Sequence, residues 1–180
     1  IQLRDKSAST RKLYENALAI RTITRQANVT FIVNDRVDIA LAVDADGVHV
    51  GQKDMPALVA RQLIGKNKIL GVSAETLAQA IQAEKDGADY LGVGPIFEAR
   101  ATKSDASEPM GLLLLKQVRK NCRVPIIAIG GINCSNAGEV IQAGADGIAV
   151  ISAIVAADDI AAAAQELKNI VLNERKRCEE

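Results

Sequence analysis

The sequence predicts an α/β fold, a TIM-type (β/α)8 barrel with its first βα unit absent from this chain. Three observations lead there. Short apolar runs alternate with helix-period segments along the whole length, one helix-to-strand connection recurs three times, and Gly130-Gly131 follows the penultimate strand.

The elements succeed one another in βα order. Residues 1–3 are a clipped first strand, followed by a helix-period segment at 10–26. Residues 30–33 (Thr-Phe-Ile-Val) and 47–50 (Gly-Val-His-Val) are short apolar runs rich in β-branched side chains, hence strands, with a helix at 37–43 between them. Pro56 opens the helix 57–64, which leads into the strand 69–72. The helix 76–85, the strand 90–93, the helix 112–120, the strand 125–129, the helix 135–143 and the strand 147–151 continue the alternation, and a helix at 160–175 ends it. The connections Asp44-Ala45-Asp46-Gly47-Val48, Gly87-Ala88-Asp89-Tyr90-Leu91 and Gly144-Ala145-Asp146-Gly147-Ile148 are equivalent. Gly87 and Gly144 suit left-handed helix C-caps. These connections fall at the N-terminal ends of strands, where barrel motifs serve stability, so Asp46, Asp89 and Asp146 are expected to be structural. Seven βα units are one short of a closed barrel. A seven-unit open sheet with helices on both faces is the competing fold, and the glycine pair favours the barrel.

At 180 residues the chain suits one domain spanning 1–180, units 2 to 8 of the barrel. Lys plus Arg equals Asp plus Glu at 22 each, so no global charge draws the protein to nucleic acid or a membrane surface. Any phosphate affinity must come from a local cluster. Cys122, Cys134 and Cys178 lack metal-ligand or disulfide-framework spacing, which suits a reducing, cytoplasmic compartment. No apolar run approaches membrane-spanning length, and residues 1–6 do not read as a signal peptide.

Candidate chemistry gathers at strand C-terminal ends. Gln2, Arg4 and Lys6 recur at period two, so an extended backbone would point all three the same way as a donor cluster; a solvated strand tip is the bland alternative. Asp35 and Asp54 lie just beyond adjacent strands. Each alone could be a helix N-cap, whereas together, beside basic groups, they suit a magnesium ion that also binds phosphate oxygens. Gly131 and Ser152 stand after the last two strands, the usual phosphate position in this fold. Ser73 ends another strand, and the polar loop from Glu98 to Pro109, with Thr102 and Lys103, is long enough for a lid. His49 is the single histidine, expected to be a packed or surface residue rather than half of a nucleophilic pair. No evident nucleophile or strong general base remains.

The segments Gln2-Leu3-Arg4-Asp5-Lys6, Asn34-Asp35-Arg36-Val37-Asp38, Ala45-Asp46-Gly47-Val48-His49-Val50-Gly51-Gln52, Gly92-Val93-Gly94-Pro95-Ile96-Phe97 and Ala128-Ile129-Gly130-Gly131-Ile132, in this order, resemble the thiamine phosphate synthase family along essentially the whole chain. The resemblance implies a transferase of thiamine biosynthesis that joins 4-amino-2-methyl-5-(diphosphooxymethyl)pyrimidine to a thiazole phosphate with Mg2+, releasing pyrophosphate. It implies small-molecule substrates, and it leaves a fused partner enzyme open. By the same resemblance Gln2, Arg4, Lys6, Asn34 and Ser73 hold the pyrimidine pyrophosphate, Asp35 and Asp54 ligate magnesium, and Lys103 reaches the pyrophosphate. Arg4, Lys6 and Lys103 thereby act catalytically. Thr102, Gly131, Ile151 and Ser152 position the thiazole phosphate. One departure is the stretch Glu98-Ala99-Arg100-Ala101, where the family has Pro-Thr soon after Gly-Pro-Ile-Phe. The rivals are a thiazole tautomerase, whose histidine two residues after the serine is here Glu75, and a non-catalytic ligand-binding relative; both are disfavoured by the retained acids.

Overall fold

The computed structural model describes residues 1–98 and 109–179, which pack as two compact units. The first comprises Ile1–Ser73 and Ala83–Asp89, the second Ala74–Gln82 and Tyr90–Glu180 less the residues just excepted.

In chain order the elements are β1 (Gln2–Leu3), α1 (Thr10–Gln26), β2 (Ile32–Asn34), α2 (Val37–Ala42), β3 (Gly47–Val50), α3 (Ala57–Ile64), β4 (Ile69–Ala74), α4 (Leu77–Lys85), β5 (Tyr90–Val93), α5 (Gly111–Asn121), β6 (Ile126–Ile129), α6 (Ala137–Gln142), β7 (Gly147–Ala149), α7 (Ser152–Val155) and α8 (Ile160–Glu179). The predicted alternation is therefore present. In the first unit β1, β2, β3 and β4 pair in parallel and in sequence; in the second, β5, β6 and β7 do the same. All four residues of β3 are buried, as expected of a parallel strand covered on both faces.

Why helices end where they do explains the repeated connection. After α2, α4 and α6, residues Asp44, Gly87 and Gly144 take φ of 51, 92 and 108°, the left-handed turn that closes a helix. In each case the next residue donates back to the carbonyl five positions earlier, Ala45 to Ala40, Ala88 to Ala83 and Ala145 to Val140. The aspartate that follows then does the same work three times. Asp46 Oδ2 accepts from Phe31 N–H and Arg21, both at 2.8 Å. Asp89 Oδ2 accepts from Leu70 N–H at 2.7 Å and pairs with Arg61. Asp146 Oδ2 accepts from Ile126 N–H at 2.7 Å and from Arg119 at 2.9 Å. An arginine from an odd helix and an amide at the start of an even strand are thus tied by one carboxylate, which satisfies a donor that the ladder leaves open. The structural role expected for these acids holds.

Two differences concern strand ends. The first strand stops at Leu3, because Asp5 Oδ1 accepts from Ser7 and Ala8 N–H at 3.0 Å each and turns the chain. The strand expected to reach residue 151 ends at Ala149, since Ile151 turns into the short helix α7, which the sequence reading did not contain.

Apolar packing holds each unit. Phe31, Val33, Val48, Val50, Leu70 and Val72 fill the first, and Leu91, Val93, Ile126, Leu115 and Val118 the second, none more than 3 % exposed. Among the described residues no helix is long and apolar enough to cross a membrane.

Candidate active site

The site in the first unit is built where β2 and β3 end. Arg36 N–H donates to Asn34 O at 2.7 Å, closing a three-residue turn centred on Asp35 with φ of 61°. That left-handed turn is costly for any residue with a Cβ, although aspartate bears it better than most. Asp35 N–H still donates to His49 O at 2.7 Å, so the ladder between β2 and β3 continues through the strained residue and holds it at the strand end. Backbone strain of this kind concentrates at functional positions.

Neither Asp35 nor Asp54 caps a helix. The N-cap residues of α2 and α3 are Arg36 and Pro56, and neither makes a side-chain capping bond. Asp54 instead accepts from Gly51 N–H at 2.8 Å, and its carboxyl comes within hydrogen-bonding reach of Asp35. Burial first, then the hydrogen bond and charge of Asp54, push the Asp35 carboxyl up to about 6, while Lys6 and Arg4 pull it the other way. Lys6 Nζ lies 3.7 Å from Asp35 Oδ2.

Two like charges this close are what a divalent cation relieves. The donor set is two carboxylates, which fits the one or two that Mg2+ takes alongside phosphate oxygens and water. Among the described residues no group of three or more His, Cys, Asp or Glu could hold a metal ion.

The basic cluster is assembled differently from the expectation. Because the strand ends at Leu3, Gln2, Arg4 and Lys6 do not share one extended run; Gln2 and Lys6 are exposed and Arg4 is half-buried. Arg4 and Lys6 nonetheless both act on Asp35, brought there by the turn that Asp5 makes rather than by strand periodicity.

Ser73, near the end of β4, is held by side chains at its hydroxyl and at its carbonyl. Its Oγ lies 2.8 Å from His49 Nε2, and its carbonyl accepts from Gln52 Nε2 at 2.6 Å. His49 is 8 % exposed, so of the two locations expected for it, packed or surface, the packed one is found. Its partnership with Ser73 was not visible in the sequence. Asn34 closes β2 in register with His49.

In the second unit, Gly130 and Gly131 take φ of 100 and 65° after β6. A Cβ on Gly131 would stand 2.7 Å from both Phe97 Cβ and Glu98 O, so only glycine fits that approach. The Gly131 carbonyl accepts from Asn136 Nδ2 at 3.0 Å, and its N–H has no hydrogen-bond partner among the described residues. Ile151 is 39 % exposed and precedes α7, whose first residue is Ser152. Thr102 and Lys103, with most of the expected lid, lie outside the described residues.

Comparison with known proteins bears on this geometry. The sequence model of the thiamine monophosphate synthase family matches residues 1–154. A thiamine-phosphate synthase of Chloroflexus aurantiacus is 63 % identical over 171 residues, covering 95 % of this chain and 78 % of that protein. One from Moorella thermoacetica is 58 % identical over 175 residues, 97 % of this chain and 83 % of its own. Among solved structures, a thiamine phosphate pyrophosphorylase from Pyrococcus furiosus superposes with a TM-score of 0.88 at 47 % identity, over 97 % of this chain and 83 % of that one. A 3-hexulose-6-phosphate synthase, at 22 % identity and a TM-score of 0.68, shares the fold alone.

Proposed function

Since the chain belongs to the thiamine monophosphate synthase family, with seven strand–helix units of the TIM-type fold, and is a transferase of thiamine biosynthesis acting on small molecules, we propose the roles of its residues as follows. Its substrates are 4-amino-2-methyl-5-(diphosphooxymethyl)pyrimidine and a thiazole phosphate, and its products are thiamine phosphate and pyrophosphate. The tautomerase alternative is not favoured.

The observation that carries this reading is the contact of Asp35 with Asp54 beside Lys6 and Arg4. Asp35 and Asp54 would hold Mg2+, which when bound offsets the charge of the departing pyrophosphate. Arg4 and Lys6 face the same oxygens and supply further positive charge, with Lys103 joining them. Gln2, Asn34 and Ser73 hold the pyrimidine. The carbon–oxygen bond to pyrophosphate breaks, the electron-rich aminopyrimidine bears the positive charge, and the thiazole nitrogen forms the new carbon–nitrogen bond. Such a reaction needs leaving-group stabilisation and positioning rather than a strong base. Gly131, whose N–H has no hydrogen-bond partner among the described residues, orients the thiazole phosphate together with Thr102, Ile151 and Ser152. All three cysteines are free, which supports a reducing, cytoplasmic setting.

The test is to mix both substrates with the full-length protein and follow pyrophosphate. Release that depends on Mg2+ and on the presence of both substrates is expected. No turnover above the protein-free rate would overturn the reading.

A further inference from the structure

The chain's single histidine is buried on β3, yet a buried imidazole has two nitrogens to satisfy and packs worse than a plain apolar side chain would. Its placement follows from register. His49 pairs with Gly71 on β4 and with Asn34 on β2. Ser73, two residues beyond Gly71, faces the same side of the strand, and Gly71 has no side chain to occupy the diagonal between them. The imidazole crosses that diagonal and places Nε2 2.8 Å from Ser73 Oγ.

An unattached serine hydroxyl samples three staggered positions, whereas one bonded to a packed ring keeps one. Gln52, three residues after His49, fixes the same serine's carbonyl at 2.6 Å. The hydroxyl and the carbonyl of Ser73 are therefore both held by side chains from β3 and the turn after it. Ser73 is itself only half-buried, so both restraints act on a residue still open to solvent.

We propose that His49 is a positioning residue for the aminopyrimidine substrate: it holds the Ser73 hydroxyl in the one orientation that meets the pyrimidine, and so sets affinity for that substrate. The proposal rests on the reading of Ser73 as a pyrimidine contact. His49 is not a base for a serine nucleophile here, because the thiazole nitrogen is the nucleophile and pyrophosphate leaves with the bonding electrons.

The test is a double-mutant cycle in steady-state kinetics on the full-length protein, with KM read separately for each substrate. His49→Ala is expected to raise the pyrimidine KM about three- to tenfold, the range of one hydrogen bond, and to leave kcat and the thiazole phosphate KM unchanged. His49→Gln, whose amide can still bond to Ser73, is expected to recover part of the loss. In a Ser73→Ala background the histidine substitution is expected to add nothing. Should His49→Ala not fold, His49→Asn carries the same cycle. Equal losses with and without Ser73, or losses in kcat and both KM values together, would overturn the proposal while leaving Ser73 as a substrate contact. A pyrimidine KM untouched by Ser73→Ala would overturn the reading beneath it and the proposal with it.

Discussion

Replacing Asp35 by asparagine should stabilise the metal-free protein while removing its activity. The Asp35 carboxyl is raised from its ordinary 3.8 to about 6 by burial and by Asp54, so folding disfavours its charged form. The sign follows from proton linkage. Between pH 3.8 and about 6 the folded chain binds more protons at this site than the unfolded one, so stability falls as pH rises through that window. The cost is absent below it and fully present above. A shift of this size corresponds to at most about 3 kcal/mol. The side chain keeps 21 % of its exposure, and solvent screening brings the figure to about 1–2 kcal/mol. The substituted asparagine carries no charge at any pH, tolerates the left-handed backbone as well as aspartate does, and gives up the attraction of Arg4 and of exposed Lys6. In EDTA at pH 7.5 the variant should therefore melt about 3–6 °C higher than the wild type, with the difference vanishing near pH 4. Adding Mg2+ should raise the wild-type Tm and leave the variant's unchanged, and pyrophosphate release should fall about a hundredfold or more. A variant no more stable than wild type at pH 7.5, or a gain that does not vary with pH, would refute the reasoning.

Other expectations follow from the same geometry. Asp54→Ala should abolish most turnover with the far-ultraviolet circular dichroism spectrum intact; wild-type rates would remove it from the metal site. Since protons and metal compete for Asp35, the Mg2+ concentration giving half-maximal rate should climb as pH falls through about 6, measured by metal titrations at several pH values. Asp146→Ala strips Ile126 N–H and Arg119 of their shared acceptor and should cost about 2–4 kcal/mol in urea unfolding, with KM for both substrates unchanged. Gly131→Ala forces a Cβ against Phe97 and Glu98 at a positive φ, and should cost about 1–3 kcal/mol and raise the thiazole phosphate KM above that of wild type.

How far the sequence could be read depended on the range of the interaction concerned. The strands at 47–50 and 90–93 and the helices at 10–26 and 57–64 were predicted to the residue, because apolar period and flanking breakers are local. The Gly87 and Gly144 caps and the three equivalent aspartates were legible for the same reason. The end of β7 was not, because Ile151 suits a strand by propensity and only its surroundings make it turn into α7. Arg4 and Lys6 recur at a strand period, but the strand stops at Leu3, and they reach Asp35 by another route.

By itself, then, the sequence determined the βα alternation, the family, the stabilising role of Asp46, Asp89 and Asp146, and the two carboxylates suited to a metal. Those conclusions rest on residue types and spacings within a few positions of one another. Tertiary structure alone decided that Asp35 and Asp54 come within hydrogen-bonding reach, that Asp35 sits strained and hard to ionise, and that His49 reaches Ser73 from 24 residues away. The physical reason is that parallel strands bring distant residues side by side only once their register is set. Register comes from burial and from turn geometry across the sheet, which no single segment carries.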